Sequence, residues 1–115
     1  ESAQFGDQHA QFGLIPGWGG SQRLTRLMGL RRSLDLMFSA RWLKAEEAKE
    51  AGLVNYIVPD NELREAALEY CLTIATRSRP GIAEMQRLAR EGADMALDQQ
   101  MRLERDAAVR ALPSE

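Results

Sequence analysis

Apolar residues recur at helical spacing over most of the chain, and they alternate with polar ones over two short stretches. From Ser21 to Met28, Leu24, Leu27 and Met28 fall on one face, with Ser21 as the predicted N-cap. Gly29 punctuates that helix, and a second is predicted from Arg31 to Ala40 with Leu34, Met37 and Phe38 as its apolar stripe. Arg31 and Arg32 begin this second helix, where the dipole disfavours cations, so an acidic partner or solvent is expected to hold them. Ala45–Ala51 is a run of strong helix formers, ended by Gly52 at the C′ position. A fourth helix, capped by Asp60 or Asn61, is predicted to reach Thr76 with Leu63, Ala67, Tyr70, Cys71 and Ile74 along its buried side. Ser78-Arg79-Pro80-Gly81 breaks the pattern, and a fifth helix covers Ile82 to Glu91. The last runs from Ala96 to Leu112, repeating its apolar face at Leu97, Met101, Leu103 or Glu104, Ala108 and Leu112, with Pro113 as its stop.

Strand signals are fewer. Glu1–Gly6 alternates small or apolar with polar residues, Trp42–Lys44 reads as a short extended link, and Leu53–Val58, bounded by Gly52 and Pro59, is the strongest strand candidate. The fold class expected from the pattern is mainly α with short strands.

With 115 residues, 44% hydrophobic and 28% charged, the chain has the composition of one small globular domain. A chain this short buries roughly two-thirds of its unfolded surface, so a partner would add much of the stability. The net charge of −2, from 15 basic and 17 acidic side chains, supplies no electrostatic footprint for nucleic acid or an anionic membrane. No window approaches the ~20 apolar residues that span a bilayer, and no leader pattern is present. Cys71, the single cysteine, forms no internal disulfide and is predicted as a small buried apolar side chain in a reducing, cytoplasmic setting. One His and one Cys give no sequence support for a zinc site, so no metal is expected.

Candidate chemistry concentrates before residue 30. Gly13–Gly29 is a glycine-dense turn feeding a helix: Pro16-Gly17 is a turn signal, and Gly19-Gly20 leaves backbone uncovered. The unpaired N–H groups of such a helix start favour an anion or a polarised water. His9 is the only imidazole, and Asp7 lies two residues earlier. On a strand or extended turn, residues two apart share a face, which would let both reach one cavity. An imidazole, with an ordinary pKa of about 6.5, exchanges protons near neutrality; the competing role is a hydrogen bond to backbone beside the pocket.

The run Gly13-Leu14-Ile15-Pro16-Gly17-Trp18-Gly19-Gly20-Ser21-Gln22-Arg23-Leu24, preceded by Ala3-Gln4-Phe5-Gly6 and followed by Ala45-Glu46-Glu47-Ala48-Lys49-Glu50-Ala51-Gly52-Leu53-Val54, closely resembles the crotonase superfamily, the enoyl-CoA hydratase/isomerase enzymes. The resemblance implies the C-terminal helical part of a crotonase-like α/β fold, a superhelix of ββα units. Residues 1–40 would then be the end of the core with its active-site loop, and residues 41–115 a helical assembly region of a trimer or hexamer. The opening residues read as the middle of a longer core, whose N-terminal half carries both backbone donors of the oxyanion hole and one of two catalytic carboxylates.

The implied substrate is an acyl-CoA thioester, with coenzyme A as part of the substrate and no separate cofactor. In hydratases of the family, the glutamate just upstream of the Gly-x-x-Pro-Gly turn works with a second glutamate to deliver water across the double bond. Counting back from Pro16 without a gap places His9 there, so Gln8-His9 replaces the usual Pro-Glu pair. Asp7 is the nearby carboxylate able to orient or replace it. Gly17 aligns with the position whose backbone N–H holds the reacting water, and glycine there argues against members that carry aspartate. Trp18 would narrow or cap the acyl pocket, with Leu14, Ile15, Pro16 and Met37 as further substrate contacts; Met28, Met37 and Phe38 are either an acyl tunnel or plain core. Two rivals stay open: a non-hydratase member running isomerisation or C–C cleavage, and a non-catalytic acyl-CoA-binding or assembly subunit.

Overall fold

Two residues from each of two distant stretches make the sheet. In the computed structural model, which describes residues 1–112, β1 (Gln4–Phe5) pairs antiparallel with β2 (Leu43–Lys44), with Gln4 opposite Lys44 and Phe5 opposite Leu43. Six helices complete the described residues: α1 (Gly20–Met28), α2 (Leu30–Ser39), α3 (Ala45–Glu50), α4 (Leu63–Ala75), α5 (Arg79–Gly92) and α6 (Leu97–Ala111). Single 3-10 turns cover His9–Phe12 and Asp60–Glu62. The fold is mainly α with short strands, and Pro113, the expected stop of the last helix, lies outside the described residues. No helix among the described residues is long and apolar enough to cross a membrane.

The chain divides into two compact units, the first from Glu1 to Ala66 and the second beginning at Ala67. Residues on both sides of the boundary expected near Ala40 share the first unit. Its core is Leu36 of α2, Leu43 of β2, and Ala45 and Ala48 of α3. On α2 the buried positions are Ser33 and Leu36, with Leu34 and Met37 half-buried, while Phe38 is 73% exposed and leaves the predicted stripe. Buried Ser33 is satisfied by Thr25 of α1, whose hydroxyl lies 2.9 Å from its own. Arg32 donates to the Glu50 carbonyl rather than to an acidic side chain. Arg41 is held between Asp35 and Glu47, and its hydrogen bond holds the Glu47 carboxyl below the ordinary range. That contribution is present above the ordinary glutamate pKa and is lost as pH falls through the depressed one.

Gly29, at φ 82, both ends α1 and begins α2. Gly52, at φ +86, sits one residue past the C-cap of α3: its N–H donates to Lys49 O at 3.1 Å, and Leu53 N–H donates to Ala48 O at 2.9 Å. This is a Schellman ending, and a Cβ there would lie 3.1 Å from the Leu27 carbonyl oxygen. Gly52→Ala is therefore expected to cost about 1–2 kcal/mol, the penalty of a left-handed non-glycine residue. An unchanged urea midpoint would show that the turn relaxes freely.

Three expectations are corrected in this unit. Leu53–Val58 is not a strand: Leu53 spends its N–H on the α3 ending, donating to the Ala48 carbonyl, and the Val58 carbonyl accepts from the Glu1 nitrogen. The Glu1–Gly6 strand shrinks to β1. Asp60 does not cap a helix; it accepts from Ser2 N–H at 3.0 Å, which pulls its carboxyl well below the usual range.

α4 overturns another. Leu63, Ala67, Tyr70, Cys71 and Ile74, predicted as its buried side, are all exposed, so the Cys71 thiol is not a core group. In the second unit α5 begins earlier than predicted. Ser78 is its N-cap, accepting from Gly81 N–H at 3.2 Å with Pro80 in the first turn, so the expected break is present but lies at residues 76–78, and Arg79–Gly81 already belong to α5. α5 and α6 pack where Gly92 and Ala107 are buried, and the Gln100 amide donates to the Gly92 carbonyl.

Candidate active site

Loop geometry brings the glycine-dense run together with His9. Asp7 follows β1 and Gly6 and is only 8% exposed. A Cβ on Gly6 would meet Trp42 Cε3 at 2.8 Å, so the absence of a side chain lets the indole lie against the backbone just before Asp7. Asp7 Oδ1 accepts the His9 backbone N–H at 3.1 Å, closing an Asx turn. The same oxygen lies 2.8 Å from His9 Nδ1. Between them, Gln8 Nε2 donates to the Ala40 carbonyl at 2.6 Å, tying the turn to the end of α2. Ala40 is the one non-glycine residue at positive φ among the described residues.

The 3-10 turn beginning at His9 ends at Gly13, in the left-handed conformation at φ 67, where Leu14 N–H bonds to the His9 carbonyl. The chain then crosses Leu14–Trp18 and enters α1 through Gly19, at φ 93. Gly19 is the N-cap, without a side-chain hydrogen bond. Ser21 therefore falls inside the first turn, and its carbonyl accepts from the Thr25 hydroxyl. A Cβ on Gly20 would lie 3.5 Å from Asp7 Oδ2, which puts the free carboxylate oxygen beside the first turn of α1, the end of the helix that favours negative charge.

His9, Leu14, Ile15, Pro16, Gly17, Trp18, Gly20 and Arg23 line one open groove of about 500 Å³. Of the eight residues predicted for the site, His9, Gly17, Leu14, Ile15, Pro16 and Trp18 border it, and Asp7 is joined to it through His9. Met37 does not border it; it is half-buried on α2. Met28, Met37 and Phe38 do not converge on a tunnel, because Met28 lines a separate cavity with Leu36, Arg41 and Leu43. The apolar walls are open in this chain: Trp18 is 96% and Ile15 85% exposed.

Asp7 and His9 do meet, but through a turn and not through strand alternation. The sequence reading flagged Gly20 as uncovered backbone but did not assign Gln8 as the anchor of the turn or Arg23 as a member of the groove. Arg23 left a signal, since it lies one helical turn beyond Gly19, where its guanidinium comes within 3.3–3.7 Å of a Cβ built there. What the arrangement offers chemically is an imidazole held by a buried carboxylate, facing a cleft with one cation and a broad apolar wall.

Residues 1–113 match the family model described as enoyl-CoA hydratase/isomerase. Over 86 residues the chain is 43% identical to a glyoxysomal fatty acid beta-oxidation multifunctional protein from Cucumis sativus, a match covering 75% of this chain and 12% of that protein. Among solved structures it is similar to an enoyl-CoA hydratase from Bacillus anthracis, with TM-score 0.91 and 35% identity over 94% of this chain and 42% of the other. A Thermobifida fusca structure in complex with acetoacetyl-CoA has TM-score 0.87 and 28% identity over 93% and 42%. The chain thus spans less than half the length of these relatives, and in the structures it corresponds to their C-terminal part.

Proposed function

The chain belongs to the enoyl-CoA hydratase/isomerase family, and from that premise we propose that it forms one wall of the active site of an acyl-CoA enzyme of fatty acid metabolism, with His9 as the proton-transfer group. The observation that carries this reading is His9 on the groove lined by Leu14–Trp18, with its ring against buried Asp7. The acetoacetyl-CoA complex of the similar Thermobifida fusca structure supports a CoA thioester as ligand. CoA enters as part of the substrate, and the chemistry calls for no cofactor.

For hydration of an enoyl thioester, water held near the Gly17 backbone N–H gives a proton to the imidazole as its oxygen bonds to C3. The thioester enolate that results is stabilised by oxyanion donors from polypeptide outside this chain. The imidazolium then returns the proton to C2, so one nitrogen serves where hydratases of the family use two glutamates. Native protein supplied with a short enoyl-CoA should remove its conjugated absorbance. Tight binding without turnover would instead favour a non-catalytic acyl-CoA-binding subunit.

Trp18 is the acyl-size gate of this proposal. Its ring borders the groove with almost no cover from its own chain, so any packing must come from ligand or from further polypeptide. Trp18→Ala should raise the kcat/KM ratio of long to short acyl chains by about tenfold, the effect of a methylene or two of pocket space. An unchanged ratio would mean that the indole faces elsewhere. We also assign the assembled protein as a homo-oligomer, a trimer or a hexamer, on the exposed apolar side chains of α4: Leu63, Leu68, Leu72 and Ile74.

A further inference from the structure

We propose that Asp7 is a positioning residue that holds a proton on His9 Nδ1, so that in the neutral ring the lone pair lies on Nε2. The inference deepens the reading of His9 as the proton-transfer group and rests on it for its catalytic consequence, though not for the tautomer itself. An ionised carboxylate accepts hydrogen bonds and has none to give, so an Nδ1 to Oδ1 separation of 2.8 Å requires the proton on Nδ1. In the neutral ring, Nε2 is then the acceptor, the atom that takes a proton from water.

Several features make this an oriented pair and not a chance surface contact. Asp7 is 8% exposed against 42% for the His9 side chain, so the carboxylate is the fixed member and the imidazole the accessible one. Oδ1 also takes the His9 backbone N–H, which locks donor and acceptor into the same turn. The Gln8 amide anchors the middle of that turn to Ala40. On α2, packed against the 3-10 turn, the charged groups have other partners: Asp35 is engaged by Arg41 and Arg32 by the Glu50 carbonyl.

A purely structural Asp7 would only close the turn; because the one oxygen that takes the His9 backbone N–H also faces Nδ1, an amide oxygen there could keep both bonds, so the test is Asp7→Ala, which removes the acceptor outright, with the ring tautomer as the readout that turn closure alone does not set. In native protein, the long-range ¹H–¹⁵N spectrum of His9, assigned by its loss in His9→Gln, should show the neutral ring protonated on Nδ1. Asp7→Ala should move the neutral ring toward the Nε2–H form and lower kcat by roughly 10²–10⁴-fold, with KM changed less than about threefold, as when the orienting carboxylate of a triad is lost. A wild-type ring already protonated on Nε2 overturns the proposal without any variant. So does Asp7→Ala with an unchanged tautomer and full kcat, or with a loss no larger than its loss of folded protein. If Asp7→Ala shifts the tautomer but His9→Gln stays fully active, positioning stands and the catalytic reading of His9 fails.

Discussion

His9→Gln is expected to lower kcat by roughly 10²–10⁴-fold while leaving KM nearly unchanged, the pattern of a group used in the transition state and not in ground-state binding. Glutamine keeps much of the size and hydrogen bonding of the imidazole but does not exchange a proton, so it isolates acid–base work from shape. The fold should tolerate it. The bond that closes the turn runs from the His9 backbone N–H to Asp7 Oδ1 and does not involve the ring, and Gln8 remains tied to Ala40. Steady-state kinetics on an enoyl-CoA substrate, with a thermal melt to certify folding, checks both halves of the expectation. Full activity would falsify the assignment and leave the proton transfer to Asp7 or to polypeptide outside this chain, with Gly17 still available to hold the water.

Much of the site was legible because it is encoded locally. Glycines at 13, 19, 29 and 52 all adopt positive φ, and the sequence marks each with a neighbouring helix start or stop. The convergence of His9 with Leu14–Trp18 follows from those turns alone. Ser21 was misread as a cap because serine is the better N-cap by propensity, yet Gly19 takes the left-handed conformation and starts the helix two residues earlier. The other errors share one physical origin, since periodicity identifies an apolar face but not what covers it. Leu53–Val58 has strand composition and no ladder partner, and α4 has a regular apolar stripe that stays exposed. Met37 has the right chemistry for an acyl pocket, but its position on α2 places it off the groove. Gln8 and Ala40 lie 32 residues apart, and no local signal announces a bond between them.

Residues 1–112 produced alone are expected to show no measurable turnover and only weakly cooperative unfolding. Within the first unit the fully buried apolar side chains are confined to Leu36, Leu43, Ala45 and Ala48, whereas Phe12, Leu14, Ile15, Trp18 and Leu30 remain more than half exposed. Each large side chain left in water forgoes roughly 1.5–3 kcal/mol of burial, comparable in sum to the 5–15 kcal/mol that stabilises a typical domain. The catalytic deficit is separate: loss of a single oxyanion donor costs roughly 10²–10³ in kcat, and the proposed hole draws its donors from outside this chain. Co-expression with polypeptide equivalent to the remaining part of the longer relatives should therefore restore a sharp melting transition together with enoyl-CoA turnover. Native mass measurement of that product should give a trimer or a hexamer. A stable, cooperatively unfolding monomer of residues 1–112 that turns over enoyl-CoA at the full rate would show that the exposed groove and the α4 face need no cover, and would remove the reason for placing the oxyanion donors elsewhere.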